Sequence, residues 1–342
     1  MAKNRKVVIA RRGGPEVLTL VEEEVPEPGA GEVRVKIAAT GVAFADVLMR
    51  EGLYRGVPRP PFAPGYDVVG AVDAIGAGVS GWQVGARVAA LTKIGGYADY
   101  LCVAAESLVA VPDGVDAGEA VALVLNFLTA HQLIHRCARL GRGERVLIHG
   151  AGGGVGDALL QLGKLAELEM FGTASKEKHA AVERGGATAI DYRAEDFVAR
   201  VKALTGGAGV DAVFDPVGGK QWRRSFEALR VGGMLVGYGF SSATVKGRRK
   251  LGKAIANYLG MPKFQLLALM DATRSVMGYN VMVLKDARPE WYRADLAALF
   301  ALLAAGKLRP AVAERLPLAE AARAHALLDD AKITGKLVLL CN

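Results

Sequence analysis

The chain has 342 residues, 51% of them apolar, with 43 basic against 35 acidic side chains and a formal net charge of +8. That length exceeds one ordinary domain and that composition supplies a core, so a disordered chain is excluded and two domains are expected. Cys102, Cys137 and Cys341 are too few and too scattered for a disulfide framework or a four-cysteine zinc site, and a reducing cytoplasm fits them. No apolar run approaches the roughly 20 residues that span a bilayer, and residues 1–6 lead into a strand rather than a signal-peptide core. The positive charge comes without a basic patch interleaved with aromatics, so nucleic acid is not an expected partner. An anionic cofactor or substrate, a weak attraction to acidic membranes, or a plain basic surface each accounts for it.

The first 120 or so residues are rich in glycine, proline and short β-type runs, at 6–10, 32–40, 67–75, 87–91 and 97–103. Turn signals such as Pro26-Glu27-Pro28-Gly29 separate them, which predicts a compact, mostly β domain. From about Gly118 helical patterns alternate with buried strands at 145–149, 170–173, 189–191, 210–215, 234–237 and 281–283. That alternation predicts right-handed crossovers and a doubly wound parallel sheet, so the fold class is α/β. A helix is expected over 291–305, an amphipathic helix over 318–330, and a last strand over 336–340 that could return to complete the first domain.

The most informative stretch is Val146-Leu147-Ile148-His149-Gly150-Ala151-Gly152-Gly153-Gly154-Val155-Gly156, a strand running into a glycine turn that opens a helix over 158–166. Such a turn brings backbone N–H groups of a helix terminus up to a pyrophosphate, which makes Gly150, Gly153, Gly154, Val155 and Gly156 candidate dinucleotide-binding positions. The second strand ends in Phe171-Gly172-Thr173-Ala174-Ser175-Lys176-Glu177-Lys178, with no carboxylate at its tip to take the adenosine ribose hydroxyls. Ser175, Lys178 and Tyr192 are therefore candidates for a 2′-phosphate, and NADPH is expected over NADH. Turns at Asp215-Pro216-Val217-Gly218-Gly219 and Gly237-Tyr238-Gly239-Phe240 follow the next two strands. Ligands lie at the carboxyl ends of such strands, so Val217, Gly237, Tyr238, Gly239 and Phe240 should border the nicotinamide ribose.

With these motifs in hand the chain resembles the zinc-independent quinone oxidoreductase (zeta-crystallin) branch of the medium-chain dehydrogenase/reductase superfamily. Pro64-Gly65-Tyr66-Asp67-Val68-Val69-Gly70, Leu125-Asn126-Phe127-Leu128-Thr129-Ala130, the 150–156 turn, Asp191-Tyr192-Arg193, Asp215 to Gly219 and Gly335-Lys336 carry the match. Within that branch it resembles the vesicle amine transport protein homologues. The resemblance implies a GroES-like substrate domain (1–123 with 285–342), a Rossmann NADPH-binding domain (124–284), and a homodimer pairing near residues 278–283. It also implies cofactor contacts at Asn126, Thr129 and Lys336, with Tyr54 lining the substrate entrance.

Zinc-using relatives carry cysteine at the position of Ala43 and a His-Glu pair at Tyr66-Asp67, so no metal is expected. Many members have asparagine at the position of Ala43, beside nicotinamide and substrate; its loss removes a hydrogen-bonding amide, with a larger pocket, a shifted substrate preference or weaker catalysis as the expected alternatives. The implied reaction is hydride transfer from NADPH to a quinone, or to the β-carbon of an enone or enal. Neither acceptor needs a nucleophile or a metal. A reading from another class, a lipid- or partner-binding protein that keeps the fold, rests on the basic run 246–250 followed by Ile255, Tyr258, Leu259, Met261 and Phe264.

Overall fold

The computed structural model describes residues 3–243, 260–330 and 333–341. The basic run 246–250, with Ile255, Tyr258 and Leu259, lies outside the described residues. The described chain forms two compact units: residues 3–128 with 282–341, and residues 129–243 with 260–281.

In the first unit, β1 (Lys3–Ile9) and β2 (Leu18–Glu24) form an antiparallel hairpin. The main sheet comprises β3 (Glu32–Val42), β4 (Asp67–Ile75), β5 (Arg87–Leu91), β6 (Tyr100–Ala104), β7 (Val109–Ala110), β14 (Val312–Pro317) and β15 (Lys336–Leu340). Its order is β14-β15-β3-β4-β5-β7, with β6 also paired to β3. Period-2 patterning explains β3: Val33, Val35, Ile37 and Ala39 alternate inward, and the first three join Val68, Val72, Leu337 and Leu339 in one apolar core. The C-terminal strand does return to this unit, running antiparallel to β3 with Leu337 opposite Val42 and Leu339 opposite Thr40.

In the second unit, β8 (Arg145–His149), β9 (Glu169–Ala174), β10 (Ala187–Asp191), β11 (Val210–Asp215), β12 (Leu229–Gly237) and β13 (Ser275–Gly278) form a sheet of order β10-β9-β8-β11-β12-β13. All its pairs are parallel. The order reverses between β9-β8 and β8-β11, which is the doubly wound topology, with its ligand crevice at the carboxyl ends of the strands. The glycine-turn helix starts at Gly154 and ends at Leu165, earlier than the apolar periodicity suggests.

Three expectations are corrected. Residues 281–283 are not a strand: the sixth strand is Ser275–Gly278, and Val281–Ala287 is helical. A three-residue apolar run cannot distinguish the two by periodicity, and here Val281 is buried while Val283 is exposed. The helix Ala117–Ala138 is long and apolar enough to cross a membrane, contrary to the sequence reading, yet 78% of its apolar window is buried within the protein. Phe264, grouped above with a lipid-facing segment, instead packs on Phe226 with ring centroids 5.3 Å apart.

Candidate functional site

The cofactor-side residues of the second unit converge on the strand ends. Gly150 has φ +67°, a left-handed conformation suited to glycine, and Gly153 begins the twelve-residue helix Gly154–Leu165 without a side chain to cap its first turn. The N–H groups of Gly154, Val155 and Gly156 are thus presented to an anion by backbone alone. A Cβ on Gly152 would stand 2.7 Å from Cδ of Lys178, so glycine there lets the lysine stem lie across the turn. Lys178 is partly buried, and its desolvation lowers the ammonium pKa from its ordinary value.

The tip of β9 is mixed. Glu177 lies 3.7 Å from Arg193, and its own backbone N–H, the Ser175 side chain and the nearby Arg193 and Lys178 charges hold its carboxyl below the ordinary value. Arg193 in turn stacks on the ring of Tyr192, which is 52% exposed. The structure therefore draws Lys178 to the glycine turn and sets Arg193, a basic side chain that sequence reasoning did not single out, beside Tyr192 and Glu177.

A buried polar chain ties three strand ends together. Ser225 donates to Asp215 (2.6 Å), so its oxygen accepts from His149 Nε2–H (3.1 Å), and His149 Nδ1 accepts from the Thr173 hydroxyl (2.9 Å). Burial lowers the His149 pKa and keeps the ring neutral, as this tautomer requires. The other oxygen of Asp215 accepts from the N–H groups of Val217 (2.7 Å) and Gly218 (3.1 Å). Gly218 has φ +76°, and a Cβ there would meet the Phe240 ring at 2.4 Å. The turn at 216–218 also accepts from Ser241 N and Ser242 N, so the turns after β11 and β12 hold each other. Tyr238 N donates to Asp215 O, and Trp222 lies against Gly237. Among the described residues the buried Trp222 indole N–H has no hydrogen-bond partner, a donor left over beside the turn where a nicotinamide ribose would bind. Bare N–H groups, basic side chains and an orphan donor at these strand ends fit a dinucleotide.

In the first unit, Ala43 precedes the helix Phe44–Arg50, and its N–H donates to Asp46 Oδ2 at 2.9 Å. The other Asp46 oxygen accepts from Gly65 N at 3.1 Å, which fastens the Tyr66 segment to the Ala43 segment. The Tyr54 and Tyr66 hydroxyls are 2.6 Å apart. Asp67 is committed to Lys336 (2.8 Å) and to Gly41 N (2.9 Å). Ala43 offers only a methyl group, and the neighbouring oxygens already have partners. Among the described residues no group of three or more His, Cys, Asp or Glu stands where it could hold a metal ion.

Asn126 and Thr129 are both buried on the helix Ala117–Ala138. Lys336, expected on the cofactor, has its ammonium on Asp67 and is 3% exposed.

Comparison with known proteins agrees with this geometry. Residues 29–113 match the alcohol dehydrogenase GroES-like domain and residues 184–339 match the zinc-binding dehydrogenase family. The chain is 35% identical to a quinone oxidoreductase of Pseudomonas aeruginosa, over 98% of this chain and 99% of that one. It is 33% identical to the human synaptic vesicle membrane protein VAT-1 homolog, over 92% of this chain and 80% of that protein. The crystal structure of Escherichia coli quinone oxidoreductase complexed with NADPH superposes with a TM-score of 0.87 at 29% identity, covering 98% of this chain and 99% of that one. With its GroES-like and Rossmann units, the chain belongs to the quinone oxidoreductase (zeta-crystallin) family of the medium-chain dehydrogenase/reductase superfamily and is an oxidoreductase that uses a nicotinamide cofactor on a small molecule.

Proposed function

We propose that the protein reduces a quinone at the expense of NADPH without a metal, with the C=C bond of an enone or enal as the second acceptor class. The observation that carries the reading is the glycine turn with an uncapped helix start and Lys178 lying across it. Bound NADPH supplies the hydride. The chain's own part is to hold the pyrophosphate on the N–H groups of Gly154 to Gly156 and to order the ribose turns through the His149–Ser225–Asp215 chain. Tyr54 presents a hydroxyl to the acceptor oxygen as negative charge develops there. An enone or enal also gathers charge on its oxygen, so the same hydroxyl favours that second reading. The test is the initial rate of NADPH oxidation with an ortho-quinone, beside NADH and beside a simple enal. No oxidation with either acceptor would sink the reading.

The phosphate assignment makes its own prediction. Lys178→Ala removes one charge-assisted contact, worth about 1.5–3 kcal/mol, so KM for NADPH should rise about tenfold or more. KM for NADH should stay level. A parallel rise for both cofactors would show that Lys178 only supports the turn.

The homodimer is proposed on the edge of β13 that is unpaired among the described residues. Beside that edge, Leu266 (74%), Leu267 (68%) and Met270 (63%) are strongly exposed on the helix Leu266–Ala272. An unpaired strand edge with apolar neighbours invites pairing with a second copy. Light scattering should give twice the chain mass for the wild type and one chain mass for a Leu267→Asp/Met270→Asp variant; a monomeric wild type removes the proposal.

A further inference from the structure

The single hydrogen bond between Tyr54 and Tyr66 leaves one phenolic proton between the two oxygens and the other to be directed elsewhere. The two residues differ in how they are held. Tyr66 is 2% exposed and fixed on both sides. The preceding Gly65 N–H is on Asp46, the Tyr66 carbonyl accepts from Thr92 N (2.9 Å), and the Thr92 hydroxyl donates to Gly65 O (2.9 Å). Gly65 has φ +109°, and a Cβ there would fall 2.5 Å from Tyr97 N, so this backbone path is closed to other residues. Tyr54 is partly exposed, follows the helix Phe44–Arg50 and is tied back by its N–H to Leu48 O (3.2 Å). The rings meet edge to face, 6.2 Å between centroids.

We infer that Tyr66 is a positioning residue for the hydride acceptor: its hydroxyl donates to the Tyr54 oxygen, which turns the Tyr54 proton outward to the acceptor oxygen. This deepens the function proposed above and rests on it. A hydroxyl whose oxygen already accepts a hydrogen bond is a stronger donor, and a donor fixed before the reaction needs no reorganisation as charge develops. The Tyr66 segment is also fastened to the Ala43 segment, because Asp46 accepts from both Gly65 N and Ala43 N. Burial raises the Tyr54 pKa, and the hydrogen bond from Tyr66 acts against that rise.

Two measurements test it. In protein labelled with 13Cζ-tyrosine, Tyr66→Phe should move the Tyr54 ionisation midpoint upward by about one pH unit or more, because the phenolate loses a donor. A midpoint that stays or falls means that Tyr54 is the donor, and overturns the assignment. In steady-state kinetics on the better acceptor, Tyr66→Phe should lower kcat about tenfold at unchanged KM for NADPH. Tyr54→Phe should do the same, and the double variant should match Tyr54→Phe alone. Losses that multiply in the double variant give Tyr66 a separate role and overturn the proposal. An upward midpoint shift in a protein that oxidises NADPH with no acceptor refutes the proposed function while leaving the donation from Tyr66 to the ionised Tyr54 oxygen established.

Discussion

Lys336→Met should lower the unfolding free energy by about 3–5 kcal/mol, the usual cost of stranding one member of a buried ion pair. Lys336 and Asp67 have side chains 2% and 0% exposed, with Nζ and Oδ2 2.8 Å apart. The pair joins three strands: Lys336 opens β15, Asp67 opens β4, and Gly41 of β3 donates its N–H to the second Asp67 oxygen at 2.9 Å. A Cβ on Gly41 would lie 2.0 Å from Cε of Lys336, so the glycine leaves the space that the ammonium stem occupies. Removing the cation leaves Asp67 charged, with one backbone N–H for compensation. An Asp67→Leu/Lys336→Met variant should recover a large part of the loss, because an apolar pair carries no desolvation cost. Urea unfolding midpoints read both outcomes. The alternative in which Lys336 serves chiefly the cofactor predicts an unmoved midpoint and a raised KM for NADPH, so one variant separates the two.

That contrast shows where sequence reasoning stops. The first five Rossmann strands were legible because each is a short run with apolar residues at its core, and Arg145–His149 and Val210–Asp215 are found where periodicity puts them, whereas the sixth was placed on the helix that follows it. Edge strands were not: β2 reads Leu-Thr-Leu-Val-Glu-Glu-Glu and β14 reads Val-Ala-Glu-Arg-Leu-Pro, both charged as edges commonly are, with pairing decided by distant partners. In the candidate site, Gly150, Gly153 and Lys178 were visible through local spacing. Tyr66 registered only as a residue unable to bind zinc, since its partner Tyr54 is brought to it by the path of a loop. The chain Thr173–His149–Ser225–Asp215 draws on four separate elements, and no local pattern marks Ser225 as the link. Arg50 is the sharpest miss, a charged helical residue that is fully buried because Asp329, Glu51, Gly13 O and His325 all receive its guanidinium.

Arg50 begins a hydrogen-bond chain whose pH response has a worked sign. Its Nη1 donates to His325 Nδ1 (3.3 Å), so His325 Nε2–H donates to the Tyr97 oxygen (3.0 Å), and Tyr97 donates to Asp46 (3.5 Å). Burial, with help from the Arg50 charge, pushes the His325 pKa down to about 3 from an ordinary 6.5. Burial pushes the Asp46 carboxyl up to about 7 from 3.8, against the N–H groups of Ala43 and Gly65; Asp67 adds to the rise and Lys336 opposes it.

For His325 the unfolded chain takes the proton first, so its stability contribution is present above pH 6.5 and falls on acidification toward 3. For Asp46 the folded chain takes the proton first, so stability rises as pH falls from 7 toward 3.8. Each slope is about 1.4 kcal/mol per pH unit, and between pH 6.5 and 4 the two cancel. His325→Gln should therefore make the protein gain stability relative to wild type on going from pH 6.5 to 4.5, and Asp46→Asn should make it lose stability over the same interval. The expected divergence of each variant from wild type is about 3 kcal/mol over those two units, read as the change in urea midpoint with pH rather than its absolute value. Parallel pH profiles for all three proteins would show that neither group titrates differently on folding. Slopes of the predicted opposite sign would show that the two titrations offset each other between pH 6.5 and 4, so that acidification over that window leaves the wild-type stability nearly level.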